Sequence, residues 1–255
     1  MTLDRFSLDG RTSIVTGGSR GIGEEIAVAL AEAGADVVPI ARSEDALQET
    51  TERIEDAGSE TLLRPVDVTD RDQIEALFDD VETRIGDVDV LVNNAGVNPY
   101  FGRSTEVDPE TWAHIFDVNV VGSFNCAQAF GRRVQDRDGS GALLNVASVG
   151  GVIGLPYQTP YTASKHAIVG MTRSLAVEWA PAIRVNALAP GYVKTAFTEG
   201  VREHEDIRAD ILADIPQDRF ADPEEMAGVA VYLVSDAASY VTGEIHLADG
   251  GMAAG

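Results

Sequence analysis

A short apolar run, a glycine-rich turn and a helical repeat follow one another at the start of this chain, and that succession constrains the fold most. Thr12 to Thr16 (T-S-I-V-T) reads as a buried strand. Thr16 to Gly23 reads T-G-G-S-R-G-I-G, and Ile22, Ile26, Leu30 and Ala33 then recur at helical spacing. Glycines between a strand and a helix are the context a dinucleotide site requires, although in isolation they mark only a turn. Gly17 permits the tight turn, while Gly21 and Gly23 let the backbone approach a pyrophosphate. That group would lie at the helix N-terminus, where free N–H groups and the helix dipole favour negative charge.

The alternation continues along the chain. Strand patterns at 36–41, 61–65, 88–92, 142–146, 183–188 and 244–247 interleave with helical patterns, the longest at 112–134 and from Tyr161 to about Trp179. Strands alternating with helices predict an α/β fold: a doubly wound, Rossmann-like parallel sheet of about seven strands with helices on both faces. Pro39 is awkward in the second strand because proline lacks a ladder donor, so the strand either bulges there or pairs briefly. No linker divides the chain, so residues 1–255 are expected to form one domain, with a charged, mobile helical excursion over 196–214.

Tyr161 and Lys165 stand one helical turn apart in Y-T-A-S-K, so the phenol and the ammonium share a helix face. A cation beside a phenol favours the phenolate, and the expectation is a tyrosine acidic enough to exchange a proton near neutral pH. Ser148, thirteen residues before Tyr161, follows the apolar run Ala142 to Val146. It should emerge at the carboxyl end of that strand, where open α/β sheets hold their ligands. The single cysteine, Cys126, reads as a small buried hydrophobe rather than a nucleophile. The four histidines are scattered, and no metal-ligand cluster is apparent.

These motifs together resemble the short-chain dehydrogenase/reductase family. T-G-x-x-x-G-x-G at Thr16 to Gly23, N-N-A-G at Asn93 to Gly96, Asn119, Ser148, Tyr161-x-x-x-Lys165 and Pro190-Gly191 stand in the family's order, and the likeness runs from about Phe6 to Gly251. The resemblance implies a nicotinamide cofactor, interconversion of an alcohol and a carbonyl, and a homotetramer. It implies that Ser148 and Tyr161 flank the substrate carbonyl, that Lys165 holds the nicotinamide ribose, and that Asn119 links the lysine to a proton-relay water. It places the cofactor along Gly17, Ser19, Arg20, Gly21, Ile22 and Gly23. Beyond the glycine turn, it adds Asp67 and Val68 beside the adenine, Asn94, Ala95 and Gly96 along the ribose, and Pro190, Gly191, Val193 and Thr195 at the nicotinamide amide. Where NAD-type sites carry an acid after the second strand, this chain has Ala41 and Arg42, and Arg20 sits in the glycine turn. Two guanidinium groups suit a 2′-phosphate, so NADP(H) is preferred and NAD(H) is the alternative. The bland alternative is that Arg42 pairs with Glu44 or Asp45 at the start of a helix.

Forty-two acids against nineteen bases give a net charge of −23, and only Lys165 and Lys194 are lysines. The acids are dispersed along helices, which disfavours nucleic acid and anionic membranes as partners. Adaptation to a salt-rich cytoplasm is the expectation. No apolar signal region opens the chain, and a cytoplasmic location is expected. Gly150, Val152, Ile153, Leu155 and Pro156, with Tyr100 and Phe101, suggest a partly apolar carbonyl substrate. A 3-oxoacyl thioester or simple ketone is the first choice, a sugar or polyol the alternative, and a non-catalytic nucleotide-binding relative a distant third.

Overall fold

The computed structural model describes residues 3–254. Six parallel strands, β1 (Thr12–Thr16), β2 (Asp36–Ile40), β3 (Val88–Asn93), β4 (Gly141–Val146), β5 (Ile183–Pro190) and β6 (Ile245–Ala248), form one sheet in the order β2-β1-β3-β4-β5-β6. Both faces of the sheet are covered. On β1, Ile14 packs into a cluster with Phe78, Phe130 and Trp179, whereas Val15 faces Ile26, Leu30 and Leu233 on the other side. Alternate residues of a strand point to opposite faces, so a strand buried on both must be apolar throughout. The chain leaves β1 toward β2 in one direction and later builds β3 to β6 in the other. This reversal opens a crevice at the carboxyl ends of β1 and β3.

The expected seventh strand, over 61–65, is absent, and Pro39 accounts for it. In β2, the Asp36 N–H donates inward to Arg11 O, and the Val37 N–H donates outward to Glu60 O at 3.1 Å. Position 39 shares the parity of Val37, so its N–H would supply the next outward rung, and proline has none. The ladder resumes only where Val66 N donates to Ala41 O at 2.8 Å. Two bonds at the ends, with none between, leave 60–66 alongside the sheet without making it a strand. Toward β1 the register stays regular, with Val15 opposite Pro39.

Helices α1 (Gly21–Glu32), α2 (Glu44–Asp56) and α3 (Arg71–Arg84) connect the first strands. The single helix expected over 112–134 is three pieces: α4 (Pro109–Phe116), a π-helical turn (Asp117–Gly122) and α5 (Ser123–Asp136). The widened turn centres on Asn119, and such bulges often accompany functional sites. Helix α6 (Thr159–Glu178) follows β4. The segment 196–214 is helical as expected, with a 3₁₀ turn, α7 (Glu199–Glu203) and α8 (Glu205–Ala213), and it contributes no buried residue. Helix α9 (Glu224–Val234) then returns to the core. Cys126 is buried, and burial pushes its thiol up to about 12, as befits a packing residue.

Candidate active site

Strand β4 ends at Val146, and two residues later Ser148 takes an extended conformation. The Gly150 N–H donates to Ser148 Oγ at 3.0 Å, which occupies the oxygen and leaves the hydroxyl proton free to point onward. The Ser148 hydroxyl lies beside the Tyr161 phenol and favours its ionised form. Tyr161 lies in the first turn of α6, and Lys165 one turn later lies on the same face. Ser148, Tyr161 and Lys165 are 7%, 9% and 5% exposed, so the spacing has gathered three polar groups in a nearly dry place. The Lys165 ammonium lies 5.7 Å from the Tyr161 ring centroid and donates to Val146 O at 2.8 Å.

This geometry corrects one expectation. Lys165 does not make Tyr161 acidic here. Burial pushes the phenol up to about 12, against a smaller lowering from the Ser148 hydrogen bond. Burial likewise pushes the ammonium down to about 8. Removing water disfavours the charged form of each group, and for the ammonium no carboxylate among the described residues offsets it. Tyr161 is therefore a neutral O–H donor over the ordinary pH range.

Asn119 has its side chain fully engaged. Its Oδ1 accepts from Val97 N at 2.8 Å, and its Nδ2 donates to Val97 O and to Ser164 Oγ, both at 3.0 Å. It thereby ties the loop after β3 to α6. The side chain makes no direct bond to Lys165, although a Cβ placed on Gly96 would sit 3.4 Å from Asn119 Oδ1 and 3.6 Å from Lys165 Nζ. Gly96 thus marks where the two approach each other.

The glycine turn meets the fit expected for a dinucleotide. Gly21 has φ +60°, and a Cβ there would lie 3.0 Å from the Thr195 methyl, so only glycine keeps the gap between the first turn and the loop after β5. At Gly23 a Cβ would collide with the Gly17 carbonyl. Asn94 Nδ2 donates to Thr16 O and Gly17 O at 3.0 Å, and the Asn94 and Ala95 N–H groups both donate to Thr16 Oγ1. The N-N-A-G segment therefore clamps the ends of β1 and β3 together at the crevice. Pro190 and Gly191 pass beside β6, with Gly191 N donating to Ala248 O. Val193 is buried, and its carbonyl accepts from Thr198 Oγ1.

Arg20 and Arg42 are both exposed at this edge, and neither has an ion pair or hydrogen bond among the described residues. The pairing of Arg42 with Glu44 or Asp45 is not made. Ser19 and Ile22 are half-buried within the turn. Asp67 does not cap α3, because Asp70 does so, accepting from Asp72 N and Gln73 N. Asp67 instead accepts from Thr69 N and Oγ1, and Val68 is buried against Gly122.

A family model described as Enoyl-(Acyl carrier protein) reductase matches residues 17–253. The chain belongs to the short-chain dehydrogenase/reductase family. It is 40% identical over 253 residues to a 2-dehydro-3-deoxy-D-gluconate 5-dehydrogenase of Bacillus subtilis, covering 97% of this chain and 96% of that one. It is 38% identical over 247 residues to a 3-oxoacyl-[acyl-carrier-protein] reductase of Thermotoga maritima, covering 96% and 98%. The crystal structure of a gluconate 5-dehydrogenase from Burkholderia cenocepacia, in complex with NADP and tartrate, superposes with a TM-score of 0.94 at 34% identity over 100% of both chains. As a short-chain dehydrogenase/reductase, the protein is an oxidoreductase acting at CH–OH groups.

Sequence reasoning missed one feature of this dehydrogenase/reductase site. Gln158, buried and three residues before Tyr161, accepts from Asn98 Nδ2 at 2.8 Å, and its side chain lies beside the Tyr192 hydroxyl. The i, i+3 spacing to Tyr161 was the available signal. The partners come from distant loops, which spacing alone does not reveal.

Proposed function

We propose that the protein is an NADP(H)-dependent oxidoreductase that interconverts a carbonyl and a secondary alcohol, with Ser148 and Tyr161 flanking the reacting oxygen. The observation that carries this reading is the buried Ser148–Tyr161–Lys165 cluster at the carboxyl end of β4, next to the glycine-lined crevice. Bound there, the nicotinamide supplies the hydride in reduction and takes it back in oxidation.

The residues have these roles. Ser148, oriented by Gly150 N–H, donates to the substrate oxygen. Tyr161, kept neutral by burial, gives that oxygen its proton in reduction and recovers it in oxidation. Two donors aimed at an oxygen that gains negative charge, in a site nearly free of water, are a large electrostatic contribution. Lys165 places a positive charge beneath the phenol and toward the ribose. It favours the phenolate only transiently, as the proton leaves. Asn119 positions the loop that carries Gly96.

Arg20 and Arg42, unpaired in a chain rich in acids, are the groups that hold the 2′-phosphate. The NADP in the gluconate 5-dehydrogenase structure supports the same choice. The test is kcat/KM for NADPH and NADH, measured against ketones, 3-oxoacyl esters and aldoses in molar KCl. Parity or a preference for NADH would refute the cofactor choice, and no turnover of any carbonyl would refute the activity.

Three finer features belong to the same reading. The protein forms a homotetramer, to be checked by light scattering in molar salt. Its charge of −23 adapts it to a salt-rich cytoplasm. Like charges dispersed on a surface repel, and salt screens the repulsion. The melting temperature is therefore expected to rise from low to molar KCl, and a flat response would refute salt adaptation. Among the described residues no helix is long and apolar enough to cross a membrane.

A further inference from the structure

Beside the reacting pair, the fold holds a second set of polar groups. Gln158 occupies the position that caps α6, yet its side chain makes no capping hydrogen bond. Helix N-termini favour Ser, Thr, Asp or Asn because those side chains reach the free N–H groups. Gln158 instead faces sideways, between Asn98 and Tyr192. Asn98 Nδ2 donates to Gln158 Oε1 at 2.8 Å, and the Gln158 side chain lies beside the Tyr192 hydroxyl. The two ends of this relay remain open. Asn98 Oδ1 is buried and accepts from nothing among the described residues. The Tyr192 hydroxyl donates to no group among the described residues, so its proton is free to give.

The relay is held rigidly. Tyr157, just before Gln158, has φ +63°, a conformation that bulky residues rarely adopt. It is maintained by two contacts with the loop after β3: Gly102 N donates to Tyr157 O at 2.9 Å, and the Phe101 and Tyr157 rings meet at 5.8 Å. Local strain that surrounding contacts maintain is commonly found at ligand sites. Asn98 is fixed through its neighbour Val97, which Asn119 grips at both backbone atoms. Tyr192 is set against Phe220 at 5.7 Å. A buried acceptor without a partner requires an explanation, and here a ligand O–H would satisfy it.

We infer that Asn98 Oδ1 and the Tyr192 hydroxyl, joined through Gln158, recognise a hydroxyl group next to the reacting carbonyl. The substrate is then an α-hydroxy ketone, such as a ketose or a keto-sugar acid, and its reduced form is a vicinal diol. The inference rests on the proposed carbonyl–alcohol chemistry and replaces the expectation of a partly apolar substrate. A hydroxyl both donates and accepts, so one such group can satisfy both open ends. An apolar ketone or an acyl chain would leave both unpaired, and a site built around a hydroxyl rejects analogues that lack it.

The test compares NADPH-dependent reduction of acetoin and 2-butanone, which differ by that single hydroxyl. Ethyl acetoacetate serves as the acyl-type control. The unmodified enzyme is expected to favour acetoin over both by at least about tenfold in kcat/KM. In Asn98→Leu, and separately in Tyr192→Phe, the acetoin-to-butanone ratio is expected to fall at least tenfold. Equal use of the two ketones, a preference for ethyl acetoacetate, or equal losses on both ketones in the variants would overturn the inference and leave the oxidoreductase reading intact. Failure to reduce any of the three while NADPH still binds would instead overturn the reading beneath it.

Discussion

Two parts of the molecule meet at the ring contact between Tyr161 and Phe197, 5.6 Å apart, and they are built in opposite ways. The first turns of α6, with the end of β4, carry Ser148, Tyr161 and Lys165 inside the core. The excursion 196–214, which supplies Phe197, has no buried residue. Groups that must shift a proton need fixed geometry and the absence of water, and a core supplies both. A segment with so little apolar burial belongs to the low-stability part of the fold and opens at low cost. The difference teaches that damage to the first region should appear in kcat, with stability changing according to the charge removed. Damage to the second should appear in kcat/KM, with stability nearly unchanged.

The largest effect expected is from Tyr161→Phe, which should lower kcat by roughly 10²- to 10⁴-fold while NADPH binding, followed by fluorescence titration, persists. Lys165→Met comes next, and it separates activity from stability. Turnover should drop at least tenfold, because the charge beneath the phenol is gone, yet the thermal midpoint at pH 7 should rise. The sign follows from the ammonium, whose folded value of about 8 lies below the ordinary 10.5. Between those pH values the unfolded chain binds more protons, so the unmodified protein gains stability as pH rises through that window. Below pH 8 the buried charge costs up to about 3 kcal/mol, which the methionine variant avoids. Chemical denaturation of both proteins at pH 7 and pH 10 measures the gap, which should narrow at the higher pH.

Arg20→Ala with Arg42→Ala should reduce the NADPH-to-NADH preference in kcat/KM by about 10- to 100-fold, the scale of charge-assisted hydrogen bonds. Both groups are solvent-exposed, so the melting temperature should not move measurably. The smallest effect belongs to the excursion. Phe197→Ala removes one aromatic contact and should lower kcat/KM by about 3- to 10-fold. A change of unfolding free energy beyond about 0.5 kcal/mol in that variant would mean that the excursion is part of the core after all.

Much of this was legible in the residues. The strand–turn–helix at Thr12 to Glu32 and the Tyr161–Lys165 spacing depend on local pattern, and the fold preserves both. What escaped depends on distant partners. Pro39 was visibly awkward, but which edge of β2 it would damage depends on the parity of the ladder, and this cost the sheet its seventh strand. Asn119 stood out by resemblance, yet its placement in a π-helical turn with both amide atoms engaged depends on Val97 and Ser164. Gln158 was invisible because its partners lie 60 and 34 positions away along the chain. The acidity of Tyr161 was misjudged because spacing reports a neighbouring charge and says nothing about the loss of water.

The central claim is that burial holds Tyr161 protonated, so that it acts as a proton donor and not as a standing phenolate. The direct measurement is the tyrosinate absorbance difference between the unmodified, nucleotide-free enzyme and its Tyr161→Phe variant as pH rises. The account predicts no phenolate from Tyr161 below about pH 10. A phenolate appearing in that difference between pH 6 and 8 would contradict it and restore Lys165 as the dominant influence on the phenol.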